Sequence, residues 1–206
     1  MINAGDRRPI AARDSRLIGA VAGWLIRRGA SPDAISVAGM VVACLAGLVF
    51  AIAPGQPRAL WLLGALFVQA RLLANLLDGM VAIGRNVASS TGELFNEIPD
   101  RVSDTAVLVG LGVAAGSVAW GLAAALAAMA TAYVRAVGRG LGLPSDFRGP
   151  MAKQHRMAVV TTLAVVCAVW RDGAATLVLA TLWVITALSV WTACRRLLGV
   201  ARALRP

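Results

Sequence analysis

Long apolar runs constrain this chain more than any other feature of its sequence. A helix crosses roughly 30 Å of hydrocarbon with about 18 to 20 residues, because each residue adds about 1.5 Å. Residues 105–134 stay apolar for too long to form one span, and Gly116–Ser117 near the middle predicts a turn between two helices. The remaining runs are Ala34–Ala53, Ala59–Leu77, Met157–Trp170 and Ala174–Cys194. Together they predict six transmembrane helices.

Composition excludes several classes of protein. The chain has 206 residues, of which 59% are hydrophobic and 15% charged, with a mean hydropathy of +0.75, so an ordinary soluble enzyme is excluded. The net charge of +10 lies between apolar runs rather than on a polar surface, so we expect no nucleic-acid partner. The three cysteines lie in apolar runs and there is one histidine, which argues against disulfides and a zinc site.

The predicted fold class is an all-α polytopic membrane protein with six transmembrane helices preceded by an N-terminal interfacial helix. That first helix is Leu17–Ile26, which is bracketed by arginines and too short to span. The predicted organisation is a cytoplasmic N-terminal segment over residues 1–30, the six-helix domain over 31–196, and a basic cytoplasmic tail over 197–206.

Basic residues predict the orientation. With a cytoplasmic N-terminus, Arg58 and Arg171 lie on the opposite side and Arg71 within the second span, which leaves 17 of the 20 basic residues inside. Cytoplasmic loops carry this excess of lysine and arginine. We therefore expect a multi-pass cell-membrane protein with both termini in the cytoplasm and with membrane lipids around it.

Half of the ten acidic residues crowd the segment that joins the second and third spans. Ionisable groups at the edge of a bilayer are costly, so such a cluster is a functional hypothesis. On a helix, four of them project within an arc of roughly 60°. The five acids are Asp78, Glu93, Glu97, Asp100 and Asp104, and the facing stripe on the second span is Arg71, Asn75, Asp78 and Ala82. Two facing helices that supply oxygen ligands predict a site for Mg²⁺ or Mn²⁺. The alternative is that the acids only form ion pairs with Arg71, Arg85 and Arg101.

The spacing of this segment resembles the signature of the CDP-alcohol phosphatidyltransferase family, DxxDGxxAR, eight residues, then GxxxDxxxD. The matching positions here are Asn75, Asp78, Gly79, Ala82 and Ile83, followed by Gly92, Asn96 and Asp100. The chain departs from the signature at Asn75, Asn96 and Ile83, with Arg85 two residues later. The segment Ser31–Ser36 also resembles the PNxLT entry to the family's first span.

This resemblance implies an enzyme of phospholipid biosynthesis. It would move a phosphatidyl group from CDP-diacylglycerol, or a related CDP-alcohol donor, to a small alcohol acceptor, phosphorylated or not, and release CMP. The implied cofactor is Mg²⁺ or Mn²⁺, in a site for one or two ions, and the implied assembly is a homodimer. The implied metal-site residues are Asn75, Asp78, Asn96 and Asp100, with Glu93, Glu97 and Asp104 as substitutes for the missing charge. Asp100 is the candidate general base, and the donor-binding candidates are Gly79, Ala82, Gly92, Arg71 and Arg85.

A basic loop joins the fourth and fifth predicted spans. Its candidates for an acceptor phosphate are Arg135, Arg148, Lys153 and Arg156. Arginine and lysine are the usual partners of phosphate, although the same charges also serve topology and anionic headgroups.

Other functions stay open at this point. The three departures from the signature leave a catalytically inactive membrane scaffold as the main alternative to an enzyme. A cation-binding transporter is the other, although no inverted copy of the acidic segment is present.

Overall fold

The computed structural model describes residues 15–87, 92–170 and 172–205, and over these residues the chain forms seven helices and no strand. The helices are α1 (Arg16–Arg27), α2 (Pro32–Ile52), α3 (Ala59–Gly84), α4 (Gly92–Ala114), α5 (Val118–Gly140), α6 (Lys153–Val169) and α7 (Ala174–Ala203). The predicted all-α fold is therefore confirmed.

Four of these helices, α2, α3, α5 and α7, are long and apolar enough to cross a membrane. The helix α4 is long enough but carries Glu97, Asp100 and Asp104, and α6 is only 17 residues long. Neither helix therefore satisfies the requirements of both length and apolar composition. The four apolar helices indicate a membrane protein.

Local sequence explains where the helices begin and end. Ser31 is the N-cap of α2, where its hydroxyl accepts a hydrogen bond from the Ala34 N–H at 3.4 Å, and Pro32 occupies the first helical position. The predicted turn within residues 105–134 is confirmed, since α4 ends at Ala114 and Gly116 takes a φ of +69°. The segment Leu17–Ile26 forms a helix, α1, on which Leu17 and Trp24 are exposed.

Most helices extend beyond the apolar runs from which they were predicted; α4, for example, begins at Gly92, thirteen residues before its run. The third helix continues to Gly84, seven residues beyond the run, α6 begins at Lys153, and α7 continues to Ala203. An apolar run stops at the first polar residues, but backbone hydrogen bonding continues through them. Most of the predicted tail over 197–206 is therefore the end of α7, and the polar residues after Leu77 lie on a helix.

Close helix packing brings the polar ends together. The helix α2 packs against α3 and α4, α5 against α4 and α7, and α6 against α3. A Cβ atom added to Gly110 would lie 2.1 Å from the carbonyl oxygen of Gly47, so α2 and α4 meet backbone to backbone. Small residues thus serve packing within the chain. The core they surround includes Phe50, Leu108, Leu111, Leu182 and Ile185, all fully buried.

Candidate active site

An arginine inside α3 and an aspartate on α4 form the centre of the polar site. Arg71 Nη2 donates a hydrogen bond to Asp100 Oδ1 at 2.6 Å, and the two side chains are 4% and 10% exposed. The guanidinium fits because a Cβ atom at Gly39, on α2, would lie 2.8 Å from Arg71 Nη1. An unpaired charge inside a span is costly, and this pairing meets the requirement for a partner.

Asp100 has further cationic neighbours. The Lys153 ammonium, at the start of α6, donates to Asp100 Oδ1, and Arg101 Nη2 lies 3.8 Å from Asp100 Oδ2. The candidate general base is therefore surrounded by three positive side chains. This contact also brings the basic loop, predicted to bind an acceptor phosphate, directly to the signature acids.

Asp78, the second signature acid, is buried on α3 and held by α2. The Ser36 hydroxyl donates a hydrogen bond to Asp78 Oδ2 at 2.5 Å, and both residues are buried. Arg71 interacts electrostatically with this carboxylate as well as with Asp100. Sequence reasoning missed Ser36, although its place in the segment that resembles PNxLT was a signal.

The three departures from the signature lie in different surroundings. Asn75, one turn before Asp78, is half-buried, and its Oδ1 atom has no hydrogen-bond partner among the described residues. Asn96 is exposed near the start of α4, and Ile83 is exposed near the end of α3. Of the two asparagines, Asn75 is therefore the one with a buried, unsatisfied acceptor beside the signature acids.

The predicted charge substitutes are engaged by arginines. Glu97 Oε1 accepts a hydrogen bond from Arg135 at 2.5 Å and Oε2 one from Arg101 at 3.3 Å. Asp104 Oδ2 accepts one from Arg156 at 2.5 Å. The side chain of Glu93 lies outside the described residues. Glu97 and Asp104 are thus paired with basic residues, as the alternative for this segment supposed. Of the partners named in that alternative, only Arg101 is involved here; the others are Arg135 and Arg156.

Four of the donor-binding candidates lie near the end of α3 or at the start of α4, whereas the fifth, Arg71, is at the centre of the site. Arg85 Nη1 donates to the carbonyl oxygens of Gly29 at 3.0 Å and Ala30 at 2.7 Å, so it ties the turn after α1 to the end of α3. A Cβ atom at Gly79 would meet no atom within 4 Å, which leaves open space beside this signature position. Ala82 and Gly92 are half-buried.

The acceptor candidates divide into two groups. Arg156 is fully buried, whereas Lys153 and Arg135 are partly exposed at the site; Arg135 also lies over the Phe147 ring, 5.5 Å from its centroid. Arg148 is exposed and paired with Asp146 at 3.0 Å.

Two residues organise the loop around Arg148. Side-chain hydrogen bonds from Arg148 lower the pKa of Asp146, which keeps this carboxylate charged. Arg196, nearly fully buried on α7, donates from Nε to the Arg148 carbonyl oxygen and from Nη1 to that of Thr131, both at 2.9 Å. Sequence reasoning missed Arg196 because it sits at the boundary assigned between the last span and the tail.

The donor set fits a hard divalent cation through mixed ligands. Among the residues that the structure describes, no group of three or more His, Cys, Asp or Glu side chains is arranged to hold a metal ion. Asn75 and Asp78 nevertheless supply amide and carboxylate oxygens one turn apart, and the unsatisfied Oδ1 atom of Asn75 is an acceptor that a cation would satisfy. Such oxygen ligands suit Mg²⁺ or Mn²⁺.

Comparison with known proteins identifies related sequences. No protein-family model matches the chain. It is 25% identical over 198 residues to a phosphatidylinositol phosphate synthase of Streptomyces avermitilis, covering 91% of this chain and 79% of that protein. The enzyme of the same name from Mycolicibacterium smegmatis is 31% identical over 151 residues, which cover 68% of this chain and 64% of that protein.

Solved structures of an enzyme with the same name are also similar to this chain. The phosphatidylinositol phosphate synthase of Mycobacterium tuberculosis with CDP-DAG bound superposes with a TM-score of 0.75 at 25% identity, covering 90% of this chain and 94% of that one. The same enzyme in complex with manganese and citrate gives a TM-score of 0.74, and the superposition covers 89% of this chain and 88% of that one. The manganese in that homologue agrees with the predicted divalent cation.

These homologues confirm the predicted enzyme class, a membrane transferase that moves a substituted phosphoryl group from a CDP-alcohol. The chain is a homologue of the phosphatidylinositol phosphate synthases, which are CDP-alcohol phosphatidyltransferases.

Proposed function

We propose that this chain transfers the phosphatidyl group of CDP-diacylglycerol to inositol phosphate and releases CMP. Its relatives are named for the product phosphatidylinositol phosphate, and one of them was solved with CDP-DAG. The donor contributes only the phosphatidyl group, so that product requires an acceptor that already carries a phosphate. A phosphorylated acceptor also suits the basic side chains that border the acids.

The contact between Lys153 and Asp100 carries this proposal. It joins the candidate base on α4 to the basic segment at the start of α6, which lies 53 residues away in sequence. A hydroxyl that reacts at Asp100 and a phosphate held by Lys153 and Arg135 would then belong to one small molecule. Lysine and arginine are the expected ligands of such a phosphate.

In the proposed reaction Asp100 accepts the proton of the acceptor hydroxyl. A bond forms between this oxygen and the phosphorus that bears diacylglycerol, and the bond from that phosphorus to the CMP oxygen breaks. Arg71 orients Asp100, Ser36 orients Asp78, and the open space at Gly79 admits the donor. A divalent ion held by Asn75 and Asp78 would supply charge neutralisation for the donor's phosphates.

The membrane arrangement is part of the proposal. All six helices α2–α7 would span the bilayer as one domain over residues 31–196, with α1 at the interface and both termini in the cytoplasm. Although α4 and α6 are less apolar, they bury the charged pair of Asp104 and Arg156 between them. The homodimer implied by the resemblance stays a prediction.

The test is CMP release by purified protein with labelled CDP-diacylglycerol and a panel of acceptors. We expect inositol phosphate to be used in preference to inositol, glycerol phosphate and serine, and chelation of divalent cations to abolish release. Asp100→Ala should reduce release by about 10²- to 10⁴-fold, as expected for loss of a general base. Asp172→Ala, which removes an exposed acid before α7, is the matched control and should change nothing.

Two outcomes would contradict the proposal. A folded preparation that releases no CMP with any acceptor would indicate the scaffold instead. Cation flux into vesicles without CMP release would indicate the transporter.

A further inference from the structure

We infer that the site takes one divalent cation per chain rather than two, and that Lys153 and Arg71 supply at Asp100 the positive charge of a second ion. This inference rests on the proposed function for the location of the site. It goes further by assigning the stoichiometry and by giving two basic residues the place of a metal.

The first argument is the charge of the signature positions. The signature that this chain resembles has four aspartates, and two of those positions are Asn75 and Asn96 here. An amide oxygen donates a lone pair to a metal but brings no negative charge. Two carboxylates remain at these positions, those of Asp78 and Asp100, which is half of the negative charge that the signature carries.

The second argument is that Asp100 is already neutralised. Its Oδ1 atom accepts from Arg71 at 2.6 Å and from Lys153, and its Oδ2 atom lies 3.8 Å from Arg101. The carboxylate is 10% exposed, so water screens these charges only weakly. A divalent ion at Asp100 would have to displace two cations that the fold holds in place, or to sit against them.

The other described acids of the segment do not restore the missing charge. Glu97 is bound by Arg135 and Arg101. Asp104 Oδ2 is bound by Arg156, which is fully buried and would be left as an uncompensated charge if the carboxylate turned to a metal. The Oδ1 atom of Asp104 has no hydrogen-bond partner among the described residues, but the negative charge of this carboxylate is already balanced by Arg156.

What remains is an oxygen pair on α3. The buried Oδ1 atom of Asn75 has no hydrogen-bond partner among the described residues, and Asp78 follows one turn later. Ser36 occupies Asp78 Oδ2 and so holds the carboxylate in one orientation. This pair, with water or substrate oxygens completing the coordination, accommodates a single ion.

The experiment counts Mn²⁺ bound to the purified full chain in detergent, by isothermal titration calorimetry and by electron paramagnetic resonance of free Mn²⁺, without donor or acceptor. We expect one ion per chain, and Asp78→Asn should lose it. Two ions per chain, or none, would overturn the inference. The control variant Asp172→Asn, at an exposed acid outside the site, should still bind one ion, and loss of the ion there would overturn the assignment to α3.

A restoring variant tests the role of the basic residues. Changing Asn75→Asp, Asn96→Asp and Lys153→Met together returns two carboxylates and removes the ammonium, so the folded variant should bind two ions. If it binds one, Lys153 does not stand in for an ion. CMP release is scored separately, because one bound ion without CMP release would refute the proposed function and leave the stoichiometry standing.

Discussion

The buried ion pair between α6 and α4 gives a prediction whose size follows from the geometry. Arg156 is fully buried, with Nη2 at 2.5 Å from Asp104 Oδ2 and Nη1 at 3.2 Å from the Met151 carbonyl oxygen. The partner, Asp104, is 3% exposed. The change Arg156→Met keeps most of the side-chain volume but leaves this carboxylate in the core without its counter-charge.

Removing one partner of a buried ion pair costs about 3 to 5 kcal/mol, because the remaining charge stays desolvated. At about 1.4 kcal/mol for each factor of ten, Arg156→Met should reduce the folding equilibrium constant by roughly 10²- to 4 × 10³-fold. Replacing both partners, as Asp104→Leu with Arg156→Met, removes the stranded charge and should recover most of the stability. Arg148→Met is the matched control, because that arginine is exposed and its loss should not measurably change the free energy of unfolding.

The assay is unfolding in mixed micelles at increasing fractions of sodium dodecyl sulfate, followed by far-ultraviolet circular dichroism. A cost below about 1 kcal/mol for Arg156→Met, or a double variant as unstable as the single one, would refute the reasoning from burial. Such a result would return Arg156 to the group of residues available for the acceptor phosphate.

Three further predictions concern smaller contacts. Ser36→Ala should weaken Mn²⁺ binding by about 10- to 100-fold, because the hydroxyl orients Asp78, while Ser36→Thr should retain binding; equal affinities in calorimetry for all three proteins would contradict this. Gly110→Ala should destabilise the chain by about 1 to 3 kcal/mol in the same unfolding assay, because the new Cβ atom would lie 2.1 Å from the Gly47 carbonyl oxygen, and unchanged stability would show that the two helices can separate. Gly79→Ala should leave stability unchanged, since nothing lies within 4 Å of its Cβ position, but should raise the KM for the CDP-alcohol; an unchanged KM would place the donor elsewhere.

The sequence predicts the helices of this chain better than the partners of its acids. Apolar runs and one glycine turn locate six of the helices because both signals are local. Helix ends are less predictable, as at α3, because hydrogen bonding continues through polar residues. The partners are the least predictable: Ser36 is 42 residues from Asp78, and Lys153 is 53 residues from Asp100. Only helix packing decides such pairs, and no periodicity within one helix encodes them.

The position of Arg71 has a consequence for how the protein is made. Its counter-charge, Asp100, follows 29 residues later on the next helix, so α3 is synthesised before its arginine can be neutralised. An arginine within a span costs at least about 2.5 kcal/mol on insertion scales. The remainder of α3 is apolar enough for the helix to cross a membrane, but the cost of the unpaired arginine persists until Asp100 is present.

During biogenesis, the cost of placing α3 in the lipid falls once Asp100 on α4 can pair with Arg71. We therefore expect α3 to stay beside the insertion machinery until α4 has been synthesised. Gly39 on α2 leaves space for the guanidinium of Arg71, so α2 is also packed against α3 when this ion pair forms. The first three long helices would then enter the lipid as one unit. The part of the site that lies on α2, α3 and α4 would form first, and Lys153 would complete it when α6 follows.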